Sequence, residues 1–208
     1  MRWVIGVDEA GRGPLAGPVA VGAVMVPEDF DVLRTFPAVK DSKQLSPQKR
    51  SEIYKEVIVR AETGDIRFCV RFSNSKHIDT FGITRAVSRA IADSVRFLTG
   101  NDDEKSLPSP KNVRILLDGL LRAPGEYEQE TIIHGDVLVP LISLASIVAK
   151  VRRDARMRRF ALRFPEYGFE NHKGYGTRMH RAAIRKFGLC TLHRSTFCKN
   201  LLIGEKTV

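Results

Sequence analysis

The sequence predicts an α/β fold, a sheet with helices packed on it, in a chain of 208 residues that can hold one substantial core, or one core with a helical annex. Three observations carry that reading. Residues 3–7 and 19–26 are rich in Val and Ala and are divided by Gly11, Gly13, Pro14, Gly17 and Pro18, the punctuation of a strand, a turn and a second strand. Residues 113–118, VRILLD, form a further apolar run of strand length. Around these runs lie segments whose apolar residues recur with helical spacing.

Taken in order, the first two strands read as a hairpin. Ser46 then offers an N-cap with Pro47 at the first helical position, opening a helix to about Ala61 with Ile53, Val57 and Ile58 on its apolar side. Residues 66–72 alternate as a strand that turns Ile66, Phe68, Val70 and Phe72 to one face. Residues 83–98 read as a helix through Ala86, Val87, Ala90, Ile91 and Val95, and residues 100–112 as a polar loop. The strand VRILLD stops on Asp118, and the shorter run from Thr131 also closes on an aspartate, Asp136. A long helix is expected from Leu141 to about Phe164. Its buried stripe is Leu141, Leu144, Ala145, Val148 and Val151, while Ser143, Ser146 and Lys150 follow a separate i, i+3, i+7 line. The distal half is basic, with Arg152, Arg153, Arg156, Arg158, Arg159 and Arg163 around Asp154, which reads as an ion-pair partner. Pro165 and Gly168 break this helix, HKGYGT follows, and Thr177 caps a last helix that ends near Gly188.

No stretch approaches the roughly 20 apolar residues needed to cross a bilayer. The first residues carry no basic leader, apolar core and cleavage site of a secretory signal, so a cytoplasmic protein is expected. Cys69, Cys190 and Cys198 form no C-x-x-C pair and no zinc-like spacing with histidine, and read as reduced thiols. A formal net charge of +10 favours a polyanionic partner, because each neutralised phosphate releases counterions.

Three strand ends carry acids: Asp8 with Glu9, Asp118, and Asp136. A lone aspartate after a strand is ordinarily a solvated cap. Three such ends can converge at the crevice where sheets bind ligands, and converged carboxylates repel unless cations sit among them. Hard divalent ions require such oxygen ligands, and four carboxylates in a basic surround suit two Mg²⁺ or Mn²⁺ ions acting on a phosphodiester. The run Gly11 to Gly17 is not a dinucleotide fingerprint, since its third glycine falls late and a strand follows it. It lets backbone groups approach a ligand edge such as a sugar hydroxyl, or it is only a turn. Lys43 beside Ser42, Ser143, Ser146 and Lys150 are candidate phosphate contacts. Tyr175, fenced by Gly174 and Gly176, offers a stacking face. His134, His172 and His180 read as caps or phosphate contacts rather than ligands, because hard ions prefer oxygen.

The segments GVDEAGRGPLAGPV, DSKQLS, ILLDGL, HGD, SLASIVAKVRRD, HKGYGT and LHRSTF, in this order, resemble ribonuclease HII, a type 2 ribonuclease H. The resemblance covers most of the chain. It implies a ribonuclease H-like mixed β-sheet flanked by helices, a single catalytic domain over residues 1–208 with a helical substrate-binding extension from about 165, and two metal ions held by Asp8, Glu9, Asp118 and Asp136. It further implies that Gly11, Arg12 and Gly13 contact a ribose 2′-hydroxyl and that Tyr175 packs at an RNA-to-DNA junction. The expected substrates are RNA/DNA hybrids and duplex DNA with single embedded ribonucleotides, cut by a monomer to leave 3′-hydroxyl and 5′-phosphate ends, as in ribonucleotide excision repair. Gly82 stands where many relatives carry Asn, and the tail from Gly204 shows no docking motif. A structure-specific DNA nuclease and a non-catalytic nucleic-acid-binding module remain alternatives on the same residues.

Overall fold

The computed structural model describes residues 1–39, 45–100 and 108–202. Five strands, β1 (Trp3–Ala10), β2 (Val19–Pro27), β3 (Arg67–Ser73), β4 (Val113–Asp118) and β5 (Glu128–Ile132), form a mixed sheet in the order β3-β2-β1-β4-β5. The β1–β2 and β2–β3 pairs are antiparallel; β1–β4 and β4–β5 are parallel. The hairpin expected from the glycine and proline punctuation is therefore present, with residues 11–18 as its connection. One boundary differs: β1 does not stop before the acids but runs through Asp8 and Glu9 to Ala10, because β2 continues to pair with it as far as Ala10↔Ala20.

Helices cover both faces. Against one lies α4 (Ile83–Thr99), whose Val87, Ile91, Val95 and Leu98 share a core with Ile5, Val7, Val21 and Ile115. Against the other lie α1 (Val32–Thr35), α2 (Pro47–Glu62) and the long α6 (Pro140–Arg163), packing Ile53, Val57, Leu144 and Val148 on Val24 and Val26. Because β2 is buried on both sides, its sequence is a continuous apolar run rather than an alternation. Ser46 caps α2 as expected, accepting from the Lys49 N–H at 3.2 Å. Gly82, at φ +82°, separates α3 (Ser75–Phe81) from α4, a backbone conformation in which glycine is free of strain. The short helices α1 and α3 carry no apolar periodicity long enough to be read from sequence.

Helix α6 lies unusually close to the sheet, and two glycines permit it. A Cβ on Gly6 would stand 2.6 Å from the Leu141 carbonyl oxygen; one on Gly22 would overlap the Ala145 carbonyl oxygen and stand 2.9 Å from the Ala149 nitrogen. Asp8 pairs with Gly22 across the ladder and lies two residues beyond Gly6, so its side chain projects toward α6.

The chain after α6 forms a smaller core of its own. A 3₁₀ turn (Pro165–Tyr167), α7 (Phe169–His172), α8 (Arg178–Phe187) and α9 (Ser195–Leu202) bury Tyr167, Phe169, Ile184 and Cys198 together with Met157 of α6 and Ala16 of the β1–β2 connection. Thr177 caps α8 through the His180 N–H at 3.3 Å. Asp79, on α3, accepts from the Ser195 and Thr196 N–H groups at 2.7 and 3.0 Å, anchoring the start of α9. His172 and His180 are not surface caps. They are buried with His193, the rings of His172 and His180 stacked 4.3 Å apart and His180 Nε2 3.1 Å from His193 Nε2. Burial pushes His180 and His193 down to about 4.

The close packing of α6 carries a testable consequence. Gly22→Ala is expected to cost about 3 kcal/mol, since the added methyl meets backbone that cannot yield, whereas Gly13→Ala, which meets open space, should change stability by less than about 0.5 kcal/mol. Urea denaturation of both variants at constant m-value measures the difference.

Candidate active site

The geometry of the acids follows from strand register. The β1–β4 ladder runs in parallel from Trp3↔Val113 to Val7↔Leu117, a constant offset that brings Asp8 beside Asp118 at the next position. Adjacent strands lie about 5 Å apart and in-register neighbours point the same way, so both carboxylates project on the α6 face. The alternation of β4 agrees, with Val113, Ile115 and Leu117 buried on the α4 side. Asp136 reaches the cluster differently from expectation. It is not a strand-end residue: β5 stops at Ile132, His134 takes a left-handed conformation at φ +58°, and Asp136 lies in the first turn of α5 (Gly135–Leu138). Its N–H donates to Asp118 Oδ1 at 3.1 Å, and its carbonyl accepts from the Ser143 hydroxyl at 2.6 Å.

Asp8 is 6% exposed. Burial, reinforced by the neighbouring charges of Glu9 and Asp118, lifts its carboxyl to about 7, against the lowering effect of hydrogen bonds from the Ser146 side chain and the Glu9 N–H. Glu9 is raised as well, by burial and by Asp118, with Arg12 opposing from 3.2 Å. Asp8, Glu9 and Asp118 thus act on one another, and Asp136 joins through its backbone. Among the described residues no group of three or more His, Cys, Asp or Glu side chains is arranged to hold a metal ion, although Asp8, Glu9 and Asp118 lie near enough to act on one another. Their donor chemistry nonetheless fits a hard divalent ion: the groups are oxygen donors, and Asp8 is short of positive charge.

The sequence candidates on α6 divide. Ser143 is buried and engaged with Asp136, whereas Ser146 serves Asp8; neither hydroxyl stands as a free surface group. Lys150 pairs with Asp154 at 3.0 Å, which supplies the ion pair expected of Asp154, though with lysine rather than an arginine. Lys43 falls outside the described residues. Tyr175 is 43% exposed, with Lys150 Nζ and Arg153 Cζ each 5.8 Å from its ring centre. Its loop is tied to the glycine connection, Gly174 O accepting from Leu15 N at 2.9 Å.

Two important residues were not assigned a role from sequence. Arg153, counted there with the basic surface, and Arg194, from LHRSTF, are both fully buried beneath residues 11–18. Arg153 donates through Nε to Pro18 O at 2.9 Å. Arg194 donates to Gly17 O at 3.0 Å and to Arg12 O and Gly11 O at 2.7 Å each. Gly11, at φ +93°, must be glycine here because a Cβ would run into the Arg153 guanidinium. Arg12 and Gly13 remain exposed. No local signal in the sequence marks Arg194, since the carbonyls it binds lie 177 to 183 residues away.

The family model for ribonuclease HII matches residues 5–200. The chain belongs to the ribonuclease HII family. A ribonuclease HII from Syntrophus aciditrophicus is 43% identical over 196 residues, 94% of this chain and 84% of its own, and one from Coxiella burnetii is 39% identical over 194 residues, 93% and 87%. The enzyme is accordingly an endoribonuclease of the ribonuclease H type. The fold is similar to that of ribonuclease H2 from Pyrococcus horikoshii, with TM-score 0.74, 24% identity and coverage of 99% of this chain and 100% of that one. It is also similar to Bst-RNase HIII, solved in complex with Mn²⁺, with TM-score 0.69, 17% identity and coverage of 99% and 70%. No helix among the described residues is long and apolar enough to cross a membrane.

The raised carboxyl of Asp8 predicts a gain in stability when it is removed. Its folded value near 7 lies above the 3.8 of the free group, so the folded state is penalised above pH 7 and the penalty fades as pH falls toward 4. In chelator at pH 8, Asp8→Asn is expected to raise stability by on the order of 3 kcal/mol, and the gain should vanish near pH 4. Chemical denaturation across that range tests it; equal effects at both pH values would contradict the assignment.

Proposed function

We propose that this ribonuclease hydrolyses the RNA strand of RNA/DNA hybrids and incises on the 5′ side of single ribonucleotides embedded in duplex DNA, leaving 3′-hydroxyl and 5′-phosphate ends. The observation that carries the reading is the parallel β1–β4 register, which sets Asp8 beside Asp118 three residues before the glycine connection. The register supports a reading in which scission and sugar recognition share one continuous segment of chain. Asp8, Glu9, Asp118 and Asp136 would hold two divalent ions, Mg²⁺ or Mn²⁺. When bound, such ions lower the pKa of an attacking water and stabilise charge on the leaving oxygen. The solved relative with Mn²⁺ supports a divalent ion of this kind.

The protein's own groups perform the remaining tasks. Ser146 and the Glu9 N–H orient the Asp8 carboxylate, and the Asp136 N–H orients that of Asp118. Gly11, Arg12 and Gly13 offer backbone to the ribose 2′-hydroxyl. Tyr175, with its exposed ring among cations, packs on the sugar that follows. Residues from about 165 onward serve as a substrate-binding extension, which their packing on Ala16 and Met157 supports. Lys150 faces phosphate on the same side, and the net charge of +10 supports a nucleic-acid partner throughout.

Incision of a duplex carrying one ribonucleotide, run with Mg²⁺, Mn²⁺ and chelator beside an all-DNA duplex, tests this function. Cutting is expected only at the ribonucleotide and only with a divalent ion; equal cutting of the all-DNA duplex would favour a DNA nuclease instead. Asp118→Asn should lower turnover by at least about a thousandfold while leaving duplex affinity in chelator within about threefold, because it removes a charge that acts on the reacting centre rather than a substrate contact.

A further inference from the structure

Arg194 is a buried cation that, among the described residues, forms no ion pair. Its guanidinium is instead spread over three carbonyl oxygens, those of Gly11, Arg12 and Gly17, at both ends of one connection. Burying a charge against neutral dipoles is expensive, and an apolar side chain of similar volume would ordinarily pack there at lower cost. The fold therefore keeps a cation where packing alone would not call for one. The Arg194 N–H also donates to Leu15 O of the connection at 2.8 Å, while the next two residues are fastened outside the connection, to Asp79.

The consequence follows from peptide geometry. In a trans peptide the C=O and the N–H of the next residue point in opposite directions, and this chain has no cis peptide bonds among the described residues. With the Gly11 and Arg12 carbonyls drawn inward to the guanidinium, the N–H groups of Arg12 and Gly13 face away from it. Neither makes a hydrogen bond to another described residue, and both residues are exposed. Two adjacent outward N–H groups form a small donor site on the segment that leads from the acids.

We propose that Arg194 is a positioning residue for sugar selectivity: by holding the Gly11 and Arg12 carbonyls from beneath, it presents the Arg12 and Gly13 N–H groups to the oxygen of a ribose 2′-hydroxyl. This rests on the reading of residues 11–13 given above as the sugar-sensing backbone. A planar fork is needed to reach three carbonyls at once, so lysine, a point donor on a flexible stem, cannot replace it. Arg153, beside it under Gly11 and bound to Pro18 O, closes the opposite wall of the connection.

The test is equilibrium binding in chelator, where no cleavage occurs, of the full chain to two duplexes that differ only in one ribonucleotide. Wild type is expected to prefer the ribonucleotide-containing duplex. Arg194→Lys and Arg194→Met should lose that preference by about tenfold, the worth of one to two hydrogen bonds, while affinity for the all-DNA duplex stays within about twofold. Should Arg194→Met fail to fold, Arg194→Lys and Asp79→Ala, which loosens the anchor while leaving the guanidinium in place, carry the measurement. Asp79→Ala is expected to lose part of the preference. A folded variant that keeps the wild-type ratio, or one whose two affinities fall together, overturns the inference and leaves Arg194 as scaffolding. A wild type that binds both duplexes equally overturns the reading of residues 11–13 itself.

Discussion

The structure depends on one constraint: two carboxylates, Asp8 and Asp118, are set side by side by the register of parallel strands, and Asp8 is then buried beneath a helix. Everything that makes the register firm makes the repulsion unavoidable. The close approach of α6, possible only because positions 6 and 22 lack side chains, removes solvent that would otherwise screen the charges. A penalty of a few kcal/mol is large against the 5–15 kcal/mol that holds a typical domain together. The buried β2 and the cores on both faces of the sheet offset it, so the site is paid for by parts of the molecule that never meet substrate.

On the proposed function, that same constraint joins chemistry to recognition. Asp8 and Gly11 are three residues apart, and β1 is held on both sides, by β2 and by β4, so the connection after Ala10 leaves a rigid strand. A free glycine-rich connection would sample many conformations and lose them on binding. Here the chain after α6 removes that freedom in advance, through Gly174, Leu192 and Arg194, all of which bond to residues 11–17. The C-terminal core is therefore best understood as a brace for the connection, with Tyr175 carried along on the brace.

The parts legible in sequence were those with a strong local signal. Ser46-Pro47 and Thr177 announced helix starts because capping chemistry is local, and Asp8 and Asp118 stood out because charged residues closing apolar runs contradict burial. Asp136 was found as a residue but misplaced as an element: a left-handed His134 turns the chain into a short helix, and no composition marks a histidine for that conformation. Arg153 and Arg194 were missed for a sharper reason. Charge patterning treats every arginine as solvated, and only tertiary structure shows that carbonyls of a distant loop converge on these two. The histidines followed the same logic, being read as polar although three of them pack together in the C-terminal core.

The histidine group also separates two pH responses within one small region. The Cys190 N–H donates to His193 Nδ1 at 2.9 Å, which leaves the proton of neutral His193 on Nε2, directed at His180 Nε2 3.1 Å away. His180 must then carry its own proton on Nδ1, where the Tyr175 carbonyl lies at 2.9 Å. His172 accepts the Gly174 N–H at 3.2 Å and faces Tyr167 O with its other nitrogen. Each tautomer is thus dictated by a backbone partner, and the run of donors terminates on the loop that bears Tyr175. Burial holds His180 and His193 near 4, while Asp8 titrates near 7 in the absence of cations. Between those values His180 and His193 stay neutral while Asp8 changes charge. The contact between His180 and His193, whose run of donors ends on the Tyr175 carbonyl, therefore persists through mild acidification, because neither ring has yet taken up a proton.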